Sequence, residues 1–168
     1  FGKNPIKSTY YVEKASLIVC TKDSYLKRLK MLDKIKNKGV FVLNTSKTPD
    51  EVLASMSVHD KKILQDRSIK MFIINASKIA EEAGIPGKIS AIMEALIFKL
   101  GKIIDFSFAL EKIKENIATK FSNKGGDLVV KNIKAIDASL DSLVPVKIPY
   151  VDYVEEFSKK KSFFEMID

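Results

Sequence analysis

The first half of the chain alternates short apolar runs with stretches in which apolar residues recur every three or four positions. The run "ASLIVC" (15–20) is typical of a strand buried on both faces. The following segment, "KDSYLKRLKMLDKIKNKG", has Asp23 or Ser24 as a candidate N-cap and Gly39 as a candidate left-handed C-terminal cap. Its apolar residues at helical spacing are Tyr25, Leu29, Leu32 and Ile35. This pattern predicts an amphipathic helix.

The other face of that predicted helix is strongly basic. It carries Lys27, Arg28, Lys30, Lys34 and Lys38. Such a face is typical of a solvated helix, and it would also suit nucleic acid, a phosphorylated cofactor or an acidic neighbouring domain.

Two further apolar runs, "GVFVLN" (39–44) and "IKMFIIN" (69–75), predict a second and a third strand. Between them, Thr48 followed by Pro49 indicates an N-cap and the first position of a short helix. The run "SVHDKKILQDRS" predicts another helix, and "ASKIAEEAG" predicts a helix that ends at Gly84. Strands that alternate with helices in this way are typical of a parallel sheet covered by helices.

From residue 88 onward the spacing becomes helical throughout, and it predicts three helices of 13 to 18 residues with apolar stripes. The predicted fold is therefore an α/β three-layer domain. It has a mostly parallel sheet of about three to five strands flanked by helices, and a helical C-terminal half. Ligands usually bind such sheets at the carboxyl ends of the strands, where the loops here begin at Thr21, Asn44 and Asn75.

Length and charge add two constraints. With 168 residues and 46% hydrophobic side chains, the chain is long enough for one domain with a substantial core. Of its net charge of +8, residues 1–38 contribute 10 Lys and Arg against 3 Asp and Glu, while residues 39–168 are nearly balanced at 19 against 18. The excess positive charge is therefore concentrated in the first segment. No apolar run approaches the roughly 20 residues that span a bilayer, so no membrane association is expected.

The stretch "GIPGK" (84–88) does not fit a phosphate-binding loop. That loop needs a glycine five positions before the Gly-Lys pair and a hydroxyl residue after the lysine. Glu82 and Ile89 occupy these positions, and a predicted helix rather than a strand precedes them. The stretch is better explained as a turn between two helices, although a helix start near Lys88 could offer its N–H groups to an anion.

The remaining reactive side chains form no catalytic set. A single cysteine, Cys20, cannot by itself hold an iron–sulfur cluster or a structural zinc, and its apolar surroundings favour a buried thiol. His59 has no plausible partner for a metal site, and Glu81 and Glu82 are typical of a solvated helix face. No catalytic residue and no metal ligand is predicted. Tyr25 alone interrupts the basic segment, so nucleic-acid binding is not expected.

The order of several blocks nevertheless resembles a known family. The blocks are "FGKNPIKSTY", "SYLKR", "GVFVLNTS", "INASKIAEEAGIPGKISAIMEALIFKL" and "DLVVKNIKAIDA". They resemble the third, gamma-type domain of pyruvate:ferredoxin (flavodoxin) oxidoreductase, a 2-oxoacid oxidoreductase, from about residue 2 to residue 142. We expect residues 1–144 to form this domain and residues 145–168 to be a linker or the start of the next segment.

The resemblance implies an enzyme that converts pyruvate and coenzyme A to acetyl-CoA and CO2. It would use thiamine diphosphate, magnesium and iron–sulfur clusters, and it would pass electrons to ferredoxin or flavodoxin. This chain would hold none of these cofactors and would be inactive alone. Its implied partners are the other domains of the parent chain and a second subunit, as in a homodimer. The implied location is the cytoplasm, or a reducing organelle such as a hydrogenosome.

The resemblance also implies that the gamma-type domain contributes to coenzyme A binding and access. The candidate contacts are Asn44, Thr45, Ser46, Lys47 and Arg28. Proline and tryptophan usually follow in the family where Ser46 and Lys47 stand here, so a tryptophan contact does not carry over. The family's usual Gly-Gly-Arg-Ile-Asn is replaced by "PGKIS" (86–90), so the planar, two-pronged contact of an arginine is lost.

Two alternatives remain open on the sequence alone. The same domain could belong to a related fusion enzyme that carries a flavin-reductase or sulfite-reductase module. It could instead be an interaction module that contacts no ligand.

Overall fold

The computed structural model describes residues 12–122 and 126–150. Its strands are β1 (Ala15–Cys20), β2 (Ile35–Asn44), β3 (Lys70–Ile74) and β4 (Val144–Val146). Its helices are α1 (Asp23–Arg28), α2 (Pro49–Ser55), α3 (Val58–Asp66), α4 (Ala76–Glu82), α5 (Ser90–Gly101), α6 (Phe106–Phe121) and α7 (Gly126–Asp141), and a 3-10 turn lies at Leu32–Lys34. This order confirms the α/β class and the helical C-terminal half.

The four strands form one sheet in the order β1-β2-β3-β4. The first three strands are parallel, and β4 pairs antiparallel with β3. The mostly parallel sheet of three to five strands is therefore confirmed. Strand β4 was not predicted. It crosses the expected boundary after residue 144, and Val146 is buried in the core, so the sheet extends at least to that residue.

Strand β2 supplies the centre of the core on both faces of the sheet. Phe41 and Leu43 point towards α1, α2 and α3, whereas Val42 points towards α4, α5 and α7. A third cluster, formed by Ala95, Ile113, Ile117 and Ile136, lies between α5, α6 and α7. The two helical layers and the sheet between them make up the predicted three layers.

The prediction of an amphipathic helix that continues to Gly39 is wrong. Helix α1 ends at Arg28, and the segment from Ile35 onward is already strand β2. Arg67 explains part of this, because its guanidinium donates to the main-chain carbonyls of Leu32, Asp33 and Ile35 at 3.3, 2.9 and 2.7 Å. Those carbonyls are thus satisfied by a residue 32 or more positions away. The predicted basic face is consequently divided between a short helix, a loop and a strand.

The spacing was misleading because the 3-10 turn also separates buried residues by three positions. Leu32 and Ile35 are each 1% exposed, as predicted, but Leu29 is 53% exposed. The left-handed residue expected at Gly39 is instead Lys38, at a φ of 59°.

Gly39 is required by a bulge in β2 and not as the C-terminal cap of a helix. The pairing of β1 with β2 shifts between Ala15, opposite Ile35, and Leu17, opposite Val40, so β2 bulges at this point. A Cβ on Gly39 would lie 2.7 Å from Ile35 Cγ1, 2.9 Å from the carbonyl oxygen of Lys36 and 3.1 Å from that of Ser16. The bulge in β2, together with the nearby carbonyl of Ser16 in β1, therefore leaves no room for a side chain at residue 39.

We expect Gly39→Ala to destabilise the domain by about 1–3 kcal/mol, because buried Ile35 and two backbone carbonyls would have to move. Urea denaturation monitored by circular dichroism measures the change. Gly126→Ala is the matched control, because no atom of the described residues lies within 4 Å of its added Cβ and alanine favours the helix that begins there. Equal stability of the two variants would contradict this account of the bulge.

The start of α2 and the "GIPGK" turn agree with the sequence, but the N-cap expected at Asp23 or Ser24 is wrong, because Lys22 precedes α1 without a side-chain cap. Thr48 caps α2 in a capping box with Glu51, and Pro49 is the first helical residue. Gly84 and Gly87 adopt φ values of 75° and 74° between α4 and α5, which is the predicted turn between helices. Helix α5 then packs against β1, α6 and α7.

Candidate functional site

A polar cavity of about 420 Å³ lies at the carboxyl ends of β1, β2 and β3. Its lining consists of Thr21, Lys22, Asp23, Ser24, Asn44, Thr45, Ser46, Asn75, Ser77, Gly87 and Ile89. We call it the strand-end cavity. The three predicted loops meet here because the carboxyl ends of parallel strands lie on the same edge of a sheet. Larger depressions elsewhere, such as one of about 600 Å³ beside α1 and α3, lie away from this edge.

The Asn44 side chain joins the three loops around the cavity. Its amide nitrogen donates to the carbonyl oxygen of Thr21 at 3.0 Å and approaches Ser77 Oγ at 3.5 Å. Its amide oxygen accepts from the N–H of Ala76 at 2.9 Å. The residue is buried, so these contacts are shielded from water. Asn44 therefore fixes the first turn of α4 and the loop after β1 relative to β2.

Thr45 forms the floor of the cavity next to Asn44. Its N–H donates to the carbonyl oxygen of Ile74 at 2.9 Å, and its hydroxyl accepts from the N–H of Lys47 at 3.2 Å. The loop after β2 is thus held to the end of β3 and closed on itself.

An ion pair crosses the rim of the cavity. Lys47 Nζ lies 3.1 Å from Asp23 Oδ2, and it connects the loop after β2 with the start of α1. The hydrogen bond from Lys47 holds the pKa of Asp23 below its usual value, and the Ser24 N–H and the Thr45 hydroxyl add to this effect. The Asp23 carboxylate therefore remains ionised and paired at neutral pH, and the pair is lost only on acidification.

The turn before α5 forms one wall of the same cavity. Gly87 and Ile89 line it, and α5 starts at Ser90 without a side-chain N-cap at Ile89. The turn that the sequence placed between two helices thus lies beside the loops after β1, β2 and β3.

A second hollow of about 270 Å³ lies on the other side of the loop after β2. It shares Thr45, Ser46 and Asn75 with the strand-end cavity. Its lining also contains two cationic side chains, Lys47 and Lys78, and the carboxylate of Glu82, which pairs with Lys78. Its deeper wall is apolar, formed by Ile73, Ile74, Ile79 and Val144. The two hollows therefore adjoin each other along the loop after β2.

Three of the predicted site residues, Asn44, Thr45 and Ser46, line the strand-end cavity, and Lys47 reaches its rim. Arg28 is not in this lining. It is the exposed last residue of α1, about 8 Å along the helix from Asp23. The sequence interpretation missed Asp23 as a cavity residue, because it treated this residue only as a helix cap. Its position directly after a buried strand was the available signal.

The other reactive side chains lie elsewhere. Cys20 is buried, its Sγ–H donates to the carbonyl oxygen of Lys22 at 3.0 Å, and burial raises the pKa of its thiol. His59 is exposed and lies 2.9 Å from Asp33 Oδ1. Glu82 pairs with Lys78 on the surface of α4 at 3.7 Å. Within residues 12–122 and 126–150, no three His, Cys, Asp or Glu side chains come together in a way that could hold a metal ion.

The fold and the cavity define an α/β domain with a polar cavity at the carboxyl edge of a parallel sheet, the edge at which such domains usually bind ligands. The family model described as pyruvate ferredoxin/flavodoxin oxidoreductase matches residues 1–142. The chain belongs to this family.

Two relatives show how the chain relates to longer proteins. It is 34% identical over 158 residues to the pyruvate:ferredoxin oxidoreductase of Moorella thermoacetica, covering 93% of this chain and 14% of the relative. It is 35% identical over 149 residues to the pyruvate-flavodoxin oxidoreductase of Enterobacter agglomerans, covering 89% of this chain and 13% of the relative. The chain thus spans about one seventh of these proteins.

A solved structure shares the fold. The crystal structure of pyruvate oxidoreductase subunit PORC from Thermotoga maritima matches with a TM-score of 0.61 at 18% identity, covering 81% of this chain and 67% of that one.

Proposed function

We propose that this chain is the gamma-type domain of a pyruvate:ferredoxin or pyruvate:flavodoxin oxidoreductase, and that its strand-end cavity binds part of coenzyme A. The parent enzyme converts pyruvate and coenzyme A to acetyl-CoA and CO2 and passes the electrons to ferredoxin or flavodoxin. Membership of the family supports this reaction as that of the parent enzyme. The observation that carries the role of this domain is the polar cavity that Asn44 organises at the ends of three strands.

The lining has the chemistry that a phosphorylated ligand requires. Lys22 and Lys47 supply positive charge, and Ser24, Ser46 and Ser77 supply hydroxyls that can donate to phosphate oxygens. Coenzyme A combines a phosphorylated nucleotide end with a long, less polar arm, so it can extend from the strand-end cavity along a neighbouring surface. The domain would thereby hold and orient the co-substrate, while other domains carry out the chemistry.

The cofactors of the parent enzyme belong to those other domains. Four thiolates hold a typical iron–sulfur cluster, and the chain contains one cysteine. The residues that the structure describes also offer no three-carboxylate or histidine cluster for a metal ion. We therefore assign thiamine diphosphate, magnesium and the clusters to parts of the enzyme outside this chain.

The apolar cluster Ile103, Ile104 and Phe108 supports a role in assembly. These side chains lie at the junction of α5 and α6 and are 45–55% exposed. Contiguous exposed apolar side chains are typical of surfaces that another protein covers. The other domains of the parent chain are the partner we propose for this surface, with a second copy of the enzyme completing a homodimer.

The helices in the described parts of the chain include none long and apolar enough to cross a lipid bilayer. We propose the cytoplasm, or a reducing organelle, as the location of the parent enzyme, because iron–sulfur and thiol chemistry is compatible with reducing conditions.

Lys47→Gln in the full-length parent enzyme tests the proposed site. We expect the KM for coenzyme A to rise roughly three- to tenfold, because a partly exposed charged contact to phosphate is lost. The KM for pyruvate should change much less. Lys36→Gln removes the same charge from the opposite end of β2 and should leave both constants unchanged. An unchanged KM for coenzyme A in Lys47→Gln would favour a purely structural module.

A further inference from the structure

Asp23, the ion-pair partner of Lys47, has an unusual position for an acidic residue. Among the described residues that line the strand-end cavity, Asp23 supplies the one negative charge, in a site proposed to receive phosphates. Its carboxylate is 42% exposed and the Lys47 side chain 40%, so both groups are accessible from the cavity rim.

The groups that hold Asp23 are the groups a phosphate would need. The Lys47 ammonium pairs with the carboxylate at 3.1 Å, and Thr45 and Ser24, which also line the cavity, contribute to the lowered pKa of Asp23. Carboxylate and phosphate oxygens accept the same kinds of hydrogen bond, and both favour cationic donors. In the arrangement described, a donor set suited to an anion is therefore occupied by an anion from the chain itself.

Displacement of Asp23 would leave two negative groups close to one lysine. The ligand has to supply more favourable contacts than the carboxylate and also overcome its repulsion. A ligand with several phosphate charges and further contacts in the cavity can meet this requirement. A single inorganic phosphate, which offers one group and no further contacts, meets it poorly.

We propose that Asp23 is a specificity-determining residue, which occupies Lys47 until a ligand carrying several phosphate groups replaces it. This inference rests on the proposed coenzyme A site. Asp23 would lower the affinity of the cavity for every anion, and it would lower the affinity for small phosphates most. The cost in coenzyme A affinity would be offset by discrimination against the abundant free phosphate of the cell.

The test uses the full-length parent enzyme with Asp23→Asn, Lys47→Gln and the double variant. The measurements are the KM for coenzyme A and the inhibition constant of inorganic phosphate in competition with it. In Asp23→Asn we expect the KM to fall roughly threefold and the inhibition constant to fall roughly tenfold, because the competing charge is removed. The double variant should show neither decrease, and its two constants should resemble those of Lys47→Gln, since both effects act through the same ammonium group.

Asp66→Asn is the matched control. Asp66 forms a comparable exposed ion pair with Lys62, at 3.0 Å on α3, and does not line the cavity, so neither constant should change. Asp23→Ser, which removes the charge and leaves a small polar side chain at the first position of α1, repeats the test if the asparagine variant folds poorly.

The possible outcomes separate the two proposals. If Lys47→Gln raises the KM for coenzyme A while Asp23→Asn and Asp23→Ser leave it unchanged or raise it, the role of Asp23 is overturned and the coenzyme A site stands. Phosphate inhibition that is equally weak in all variants also overturns it. If neither Lys47→Gln nor Asp23→Asn alters either constant, the coenzyme A site fails and the inference fails with it.

Discussion

Asn44→Ala is expected to destabilise the domain by about 2–3 kcal/mol and to raise the KM of the parent enzyme for coenzyme A at least tenfold. The substitution leaves the buried N–H of Ala76 and the carbonyl oxygen of Thr21 without the partner that bridges them. A buried polar group without a hydrogen bond is costly, so the loops after β1 and β3 should separate from β2. The cavity would then lose its shape as well as one lining residue.

Chemical denaturation of the chain measures the loss of stability, and steady-state kinetics of the full-length enzyme measure the change in KM. Asn37→Ala is the matched control, because Asn37 is an exposed asparagine in the same strand. We expect it to change stability by roughly 0.5 kcal/mol or less. If Asn44→Ala behaved like Asn37→Ala, the bridging role of the side chain would be refuted.

Phe41→Ala is expected to have the largest effect on stability, about 3–5 kcal/mol. Phe41 is 0% exposed in the middle of β2, where it pairs with Ile18 on one side and Met71 on the other. Removing its ring opens a cavity at the centre of the core between the sheet and α1–α3. Domains of this size are stable by only about 5–15 kcal/mol, so the variant should unfold at a much lower urea concentration.

Phe108→Ala provides the matched comparison for Phe41→Ala, because it removes the same atoms from a residue that is 53% exposed on α6. In the isolated chain it should change stability by roughly 0.5 kcal/mol or less. Similar urea midpoints for the two variants would show that Phe41 is not at the centre of the core.

Local signals predicted the elements that are stabilised mainly by their own residues. The capping box of Thr48 and Glu51, the N-cap of α4 at Asn75 and the left-handed Gly84 all act within a few residues of their own helix. The strand at 15–20 was identified correctly because its apolar run is bounded by polar residues on both sides. Local chemistry of this kind is readable without knowledge of the tertiary contacts.

The segment 29–39 could not be predicted in this way. Its conformation depends on the guanidinium of Arg67, on the approach of Ser16 to Gly39 and on pairing with Ala15. Apolar residues at spacings of three and four fit a helix equally well, because periodicity records burial and not the partner that causes it. Strand β4 was missed for a similar reason: three residues that contain a proline give no local signal for a strand.

The residues of the site also divide into those that the sequence predicted and those that only the tertiary contacts revealed. The loops at Thr21, Asn44 and Asn75 were located from the order of the strands, and Asn44, Thr45, Ser46 and Lys47 were selected by resemblance to the family. The pairing of Lys47 with Asp23 depends on a distance between two loops that are 24 residues apart in the chain. No spacing along the sequence encodes that distance.

The sequence by itself determined the α/β class, the start of α2, the edge of the sheet at which the three loops meet and the family to which the chain belongs. These properties follow from the pattern of apolar residues, from local capping and from the order of the sequence blocks, which are all features of the linear chain. Only the tertiary structure decided where α1 ends, why Gly39 must be glycine and which side chains surround the cavity. Those outcomes depend on contacts between distant segments, whose free energy exists only once the sheet has formed.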